Sequence, residues 1–281
     1  MTPTSRLITG DARTALRALP DASVQCVVTS PPYFGLRSYG VGIEDGEIGL
    51  EQTPREYVEN VVQVFREVCR VLRDDGTLWL NLGDSYDNKG RLSGIPWRVA
   101  LALCEDGWLL FSEVIWSKPK GAPSGGVRKP LRTHEQVFLL AKGQDYYYEA
   151  DAIREPLAAS TLDRYRYSVK SLRSRIEGTD GRKMLTPNEA GRHRRSVWTV
   201  TPTFARYDGD HFAVMPEKLV EPCILAGTKI GDLVLDPFAG SGTVGVVCQR
   251  YHRSFLGVEL NHEYVKMAES RIAQTQPGLA L

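Results

Sequence analysis

The sequence predicts an α/β protein built on an open, mostly parallel sheet with helices on both faces. Three observations carry that reading. Seven short apolar runs bounded by turn residues alternate with longer amphipathic stretches. Within the runs apolar residues follow one another instead of alternating with polar ones, as in strands covered on both sides. The 281 residues, 42% hydrophobic and 25% charged, suffice for a sizeable core in one or two domains.

The runs fall at residues 7–9, 25–29, 77–82, 109–116, 136–141, 233–235 and 255–258. Between the second and third, residues 54–72 set Tyr57, Val58, Val61, Val62, Val64, Phe65, Val68, Cys69 and Leu72 at helical spacing, and Asp74-Asp75-Gly76 reads as the stop. A second helix is predicted over 216–227, opened by Pro216 and closed by Gly227. In such a sheet, ligands bind at the carboxyl ends of the strands.

Composition narrows the function classes. No run approaches the roughly 18 consecutive apolar residues of a membrane helix, and the first residues lack a signal peptide's apolar stretch, so a cytoplasmic location is expected. Cys26, Cys69, Cys104, Cys223 and Cys248 are odd in number and never spaced C-x-x-C, which predicts reduced thiols and neither a disulfide framework nor a metal site. The formal net charge of +1 hides an asymmetry. Between Ser160 and Ser196, ten basic residues (Arg164, Arg166, Lys170, Arg173, Arg175, Arg182, Lys183, Arg192, Arg194 and Arg195) stand against four acids, so the rest is net negative. A basic block in an otherwise acidic protein is the footprint of phosphate contacts, although a solvated helix face has the same composition. The block also breaks the rhythm of strands and helices. The chain therefore divides into a core of residues 1–150 and 197–281 and an insert of residues 151–196.

Two strand ends carry the chemistry. Leu233-Val234-Leu235-Asp236-Pro237-Phe238-Ala239-Gly240-Ser241-Gly242-Thr243 runs from an apolar strand into a glycine-rich turn, which lets backbone approach a ligand closely. It matches neither the phosphate loop nor the full dinucleotide spacing, so a pyrophosphate is not the obvious guest. Glu259 ends the next strand 23 residues after Asp236, near the offset at which an acid accepts from ribose hydroxyls. A nucleoside without phosphates fits both. The second end is Val27-Val28-Thr29-Ser30-Pro31-Pro32-Tyr33. Two prolines fix the backbone and remove two N–H donors, which leaves carbonyls and the Ser30 hydroxyl as acceptors beside an aromatic face. Such a site suits a flat group bearing an NH₂, its hydrogens held by Ser30 and the Pro31 carbonyl and its ring stacked on Tyr33.

Asp236 to Thr243 resembles the S-adenosylmethionine motif DPFxGSGT of amino-methylating DNA methyltransferases, and Ser30-Pro31-Pro32-Tyr33 resembles their catalytic tetrapeptide [DNS]-PP-[YFW]. The order of the two motifs around a basic segment is that of the family's beta group. The resemblance spans Gly10-Asp11 to Glu259. It implies a Rossmann-like S-adenosylmethionine-dependent fold, circularly permuted, with a mostly parallel seven-stranded sheet and a target-recognition region in the insert. It implies that Asp236, Pro237, Phe238, Gly240, Ser241, Gly242 and Thr243 surround the methionine part of the cofactor, that Glu259 holds the ribose, and that Asp11 lies near the adenine. By the same resemblance, residues 211–216, His211-Phe212-Ala213-Val214-Met215-Pro216, line the methionine pocket. Trp116-Ser117-Lys118-Pro119 resembles a segment near the target pocket, where Lys118 reads equally as a surface lysine. Duplex DNA is the implied partner, its phosphates met by Arg164, Arg166, Lys170, Arg173, Arg175, Arg192, Arg194 and Arg195. A homodimer is a further expectation.

An exocyclic amine is a poor nucleophile because its lone pair is delocalised into the ring. Acceptors at Ser30 and Pro31 would hold its hydrogens while the nitrogen becomes tetrahedral. Serine at position 30 resembles the cytosine-N4 enzymes more than the adenine-N6 ones, so N4-cytosine is the expected target and N6-adenine the alternative. Methylation at cytosine carbon 5 needs a Pro-Cys nucleophile in its own family; Pro222-Cys223 sits inside a helical pattern and reads as a buried cysteine. The rivals are a nucleotide-dependent dehydrogenase, a DNA-binding module without catalysis, and a methyltransferase acting on RNA or a protein amide.

Overall fold

The computed structural model describes residues 3–36, 47–119, 128–158, 160, 161, 163, 188, 190–207 and 210–278, with the backbone alone described over 204–207 and 210–213. β1 (Ser5–Thr9) leads into α1 (Ala12–Ala15), whose first turn is capped by Asp11 accepting from the Arg13 N–H at 2.7 Å. β2 (Val24–Thr29) is buried throughout. α2 (Pro54–Val71) begins with a capping box in which the Thr53 hydroxyl accepts from the Glu56 N–H and the Glu56 carboxylate from the Thr53 N–H. Tyr57, Val61, Val64, Phe65 and Val68 form its fully buried stripe. At about 1.5–3 kcal/mol per buried side chain, packing outweighs helix propensity in holding α2.

β3 (Leu72–Leu82) follows directly and pairs with β2 through an irregular register between Val24 and Cys26. The Asp74-Asp75-Gly76 stop read from the sequence thus lies within an extended segment, because strand pairing continues past it. α3 (Ile95–Glu105), β4 (Leu109–Ser117) and β5 (His134–Ala141) come next. β6 (Val197–Thr199) and the hairpin of β7 (Thr203–Tyr207) and β8 (Asp210–Val214) precede α4 (Glu217–Gly227). β9 (Leu233–Asp236), α5 (Thr243–Arg250), β10 (Ser254–Glu259) and α6 (His262–Ala273) come last.

The main sheet has the order β1-β10-β9-β2-β3-β5-β4-β6. Only the two pairings of β5, with β3 and with β4, are antiparallel. All seven predicted strands are present, but the described sheet has eight strands, which corrects the seven-strand expectation. β6 escaped the sequence because three residues with one buried side chain, Trp198, show no periodicity. It joins the sheet through pairing with Ile115 to Ser117 and through the Trp116 indole N–H, which donates to the Val200 carbonyl at 2.8 Å.

β9 and β2 are parallel neighbours from which the chain departs in opposite directions, to β10 and to β3. That reversal opens a crevice at their carboxyl ends. Residues 1–148 with 196–281 form one compact unit and residues 149–195 a second. Within the second, Glu155 and Arg192 exchange both backbone hydrogen bonds at 2.9 Å.

Candidate active site

At the carboxyl ends of β9 and β2 lies a cavity of about 600 Å³. Asp11, Ser30, Pro31, Pro32, Tyr33, Asp236, Pro237, Phe238, Gly240, Ser241, Thr243 and Glu259 all line it, although the sequence scatters them over almost the whole chain. Val214 and Met215 of the 211–216 segment line it as well; the side chains at 211–213 lie outside the described set. Gly242 is placed elsewhere. Its backbone has φ +78°, and a Cβ there would stand 2.7 Å from the Ala268 Cβ, so this glycine serves the approach of α6 and is not among the lining residues.

At one end the wall is made of strand tips and backbone amides. Thr29 Oγ1 donates to Asp236 Oδ1 at 2.7 Å, which ties the ends of β2 and β9 together, and the Phe238 N–H donates to the same oxygen at 3.0 Å. Burial pushes the Asp236 carboxyl up to about 7 against the pull of those two hydrogen bonds, and the charge of Glu259 adds to the rise. Glu259 accepts from the Gly240 N–H at 2.8 Å and the Asn261 N–H at 2.9 Å; burial raises its pKa too. A Cβ on Gly240 would meet nothing closer than 4.0 Å, so the turn leaves open space.

The other end is made of side chains from four separate segments. The Ser30 hydroxyl donates to the Tyr33 oxygen at 3.2 Å, and the Tyr33 hydroxyl donates to Glu135 Oε2 at 2.7 Å. Asn81 Nδ2 donates to Tyr33 at 2.7 Å, to Glu135 at 3.1 Å and to Ser30 at 3.3 Å. Lys118 forms an ion pair with Glu135 Oε1 and lies 4.2 Å from the centre of the Trp116 ring. Of the two readings of Lys118, the structure supports the one inside the site. The ring of Tyr33 rests on Gly83, where a Cβ would stand 2.4 Å from the Tyr33 Cε2. Tyr57 of α2 donates to the Pro32 carbonyl at 2.9 Å and so anchors the proline pair to the core.

Asn81 and Glu135 were not read from the sequence. Asn81 had a signal: it is a polar residue near the carboxyl end of a predicted apolar strand. Glu135 had none, because it lies just outside the predicted run of residues 136–141, although within β5, and reaches this edge only because β5 runs antiparallel, with Gln136 opposite Leu82. Three buried lining atoms, Asn81 Oδ1, Ser85 Oγ and Thr243 Oγ1, have no hydrogen-bond partner among the described residues. Each such atom costs about 1–3 kcal/mol unless a ligand completes it. Cys223 is in a different setting: it is buried in α4 with its thiol donating to the Leu219 carbonyl at 3.4 Å, and it does not line this cavity.

Arg164, Arg166, Lys170, Arg173 and Arg175 lie outside the described residues. Arg192 and Arg195 share one carboxylate, Glu155 Oε2, at 3.1 and 3.5 Å. Arg194 is described as well.

An open sheet with a cavity at its switch point, walled by a glycine turn and by acceptors suited to a planar amine, defines a Rossmann-like methyltransferase. The model of the N6/N4 methyltransferase family, described as a DNA methylase, matches residues 24–270. The chain belongs to this family. It is similar to the Type II methyltransferase M.Cfr9I of Citrobacter freundii, with 42% identity over 295 residues that cover 95% of this chain and 87% of that one. The Type II methyltransferase M.SmaI of Serratia marcescens is 41% identical, covering 95% and 90%. Among solved structures, PvuII DNA methyltransferase, described as cytosine-N4-specific, shares the fold at a TM-score of 0.71 with 21% identity, covering 96% and 87%. TTHA0409 of Thermus thermophilus, solved in complex with S-adenosyl-L-methionine, aligns at a TM-score of 0.63 with 26% identity, covering 99% and 98%. The protein is a DNA methyltransferase.

Proposed function

We propose that this enzyme methylates the exocyclic N4 amine of a cytosine flipped out of duplex DNA, with S-adenosyl-L-methionine as its cofactor, in the manner of a Type II modification enzyme. The observation that carries the reading is that Ser30 and the Asp236 to Thr243 turn line one cavity. That cavity fits the cofactor. Its wall carries the acids Asp11, paired with Arg13, and Asp236 and Glu259, whose raised carboxyls a ligand with positive centres would draw to their ionised forms, and the unpartnered Thr243 Oγ1 adds a polar group to complete. Asp236, Pro237, Phe238, Gly240, Ser241 and Thr243 would hold the methionine part, Glu259 the ribose and Asp11 the adenine side. When bound, the cofactor supplies a methyl group made electrophilic by a positively charged sulfur.

The chain's own residues do the rest. Ser30 Oγ donates its proton to Tyr33 and accepts from Asn81 at 3.3 Å, which leaves one lone pair for an amine hydrogen, and with the Pro32 carbonyl occupied by Tyr57 the second acceptor is the Pro31 carbonyl. The proline pair holds these acceptors still, and the Tyr33 ring offers its face to the base. Serine at position 30 supports cytosine through its resemblance to the cytosine-N4 enzymes, and its neutrality suits this site. An aspartate there would set a second carboxylate beside Glu135, whereas serine keeps one negative charge, matched by Lys118. The insert of residues 151–196 is the proposed target-recognition region, and its arginines the phosphate contacts. The bacterial relatives favour a cytoplasmic setting.

The test is incubation with S-adenosylmethionine and unmethylated genomic DNA, digestion to nucleosides and mass spectrometry. N4-methylcytosine is the expected product. N6-methyladenine would overturn the reading of Ser30 and leave the site intact; no methylated base would overturn the proposal.

A further inference from the structure

Tyr33 stands where the family's tetrapeptide admits tyrosine, phenylalanine or tryptophan, and stacking on a base needs only the ring. In this chain the hydroxyl has its own partners. Its oxygen accepts from Ser30 at 3.2 Å and from Asn81 at 2.7 Å, and its proton goes to Glu135 Oε2 at 2.7 Å. That satisfies a phenol's whole capacity of two acceptances and one donation. The bonds run one way, from Ser30 through Tyr33 to a carboxylate. Glu135 is largely buried, with 13% of its side chain exposed, and Lys118 is paired to its other oxygen.

We propose that Ser30, Tyr33 and Glu135 form a proton relay that drains the target amine during methyl transfer, with Glu135 as the acceptor and Tyr33 as its connection to the site. The proposal rests on the function proposed above. As the N–C bond forms, the electron pair of the S–C bond leaves with sulfur and the amine nitrogen becomes cationic. One N–H proton passes to Ser30 Oγ while the Ser30 proton passes to the Tyr33 oxygen and the Tyr33 proton to Glu135 Oε2. The methylated amine is left neutral, the two hydroxyls are restored, and Glu135 carries one proton that it then releases to solvent. Lys118 is paired with the other oxygen of that carboxylate, and Asn81, holding all three relay oxygens from one amide nitrogen, fixes their spacing. Ser30 touches the amine; Tyr33 hydroxyl and Glu135 act through it as positioning residues.

Tyr33→Phe keeps the ring, its packing on Gly83 and the Glu135–Lys118 pair, so it interrupts the relay with the least damage to the fold. The wild type is first shown by mass spectrometry to make N4-methylcytosine. Single-turnover rates are then measured together with calorimetric affinity for S-adenosylmethionine and affinity for unmethylated duplex DNA. The expected result is at least a tenfold lower rate in Tyr33→Phe and in Glu135→Gln, within the range of general acid–base contributions, with both affinities within twofold of wild type. Glu135→Ala should regain rate with added formate in a concentration-dependent way and not with chloride, which a merely structural glutamate would not produce. A Tyr33→Phe rate within twofold of wild type, a loss that appears only in the affinities, or a Glu135→Ala enzyme indifferent to formate would overturn the relay. If the wild type instead methylates adenine, the cytosine assignment fails, and the same variants judge the relay on the adenine amine.

Discussion

The two ends of the cavity hold their charges by different means. At the proposed cofactor end, Asp236 and Glu259 sit on strand tips, and the groups that hold them are nearby in sequence or on an adjoining strand: the Phe238, Gly240 and Asn261 N–H groups and the Thr29 hydroxyl. At the proposed amine end, one carboxylate is shared by Tyr33, Asn81 and Lys118, side chains from three different segments. The contrast teaches that the first end is set by the sheet, whereas the second depends on the packing of individual side chains. Damage at the amine end should therefore appear in turnover, and damage at the cofactor end in affinity.

The largest effect expected is from Ser30→Ala. It removes the group proposed to face the amine, so turnover should fall about 10²-fold or more while calorimetry finds S-adenosylmethionine binding unchanged. Turnover near wild type would break the comparison at its centre. Gly83→Ala tests the same end without altering a polar group. Its Cβ would stand 2.4 Å from the Tyr33 ring and displace the network, so single-turnover rates should fall roughly tenfold or more, in line with the sensitivity of catalysis to small misplacements, with cofactor affinity within twofold. Equal damage to both quantities would mean that the two ends are one unit.

Glu259→Gln probes the other end. Loss of a charged acceptor should weaken cofactor binding by about 1.5–3 kcal/mol, roughly ten- to a hundredfold by titration, with a much smaller effect on turnover at saturation. Normal affinity would move the ribose contact elsewhere. Asp236 sharpens the point through pH. Its carboxyl titrates near 7 in the folded protein against 3.8 as the ordinary value. Between those values the unfolded chain has lost a proton that the folded one keeps, so the stability of the ligand-free protein falls as pH rises through that window. Asp236→Asn should remove up to about 1.4 kcal/mol per pH unit of that slope, read from denaturant melts at several pH values. A slope unchanged by the substitution would show that Asp236 is ionised throughout. The smallest effect is expected from Arg195→Ala in the insert. Because Glu155 already faces this guanidinium at 3.5 Å, the slope of log affinity for DNA against log salt should flatten by less than the ~0.9 of a full phosphate contact. A steeper or equal slope would remove Arg195 from the DNA surface.

Legibility in the sequence divides along the same line. The seven predicted strands and both predicted helices announce themselves because burial on both faces leaves continuous apolar runs and burial on one face leaves a helical stripe. Ser30 to Tyr33 and Asp236 to Thr243 are legible because each is one contiguous segment at the end of such a run. β6 is not, since three residues carry no period, and Gly242 is read as a cofactor contact although its missing Cβ makes room for Ala268. Asn81 left a faint mark as a polar residue in an apolar strand. Glu135 left none.

By itself, then, the sequence determined the class of fold, the two motifs and their order along the chain, since these rest on local patterns of burial, backbone freedom and hydrogen-bonding capacity. Only the tertiary structure decided that β9 and β2 lie side by side, that an antiparallel β5 brings Glu135 to the edge where Ser30 follows β2, and that the Tyr33 hydroxyl points at it. The physical reason is that a hydrogen bond between residues 102 positions apart is chosen by strand order and direction, which the whole sheet settles together and no local stretch encodes.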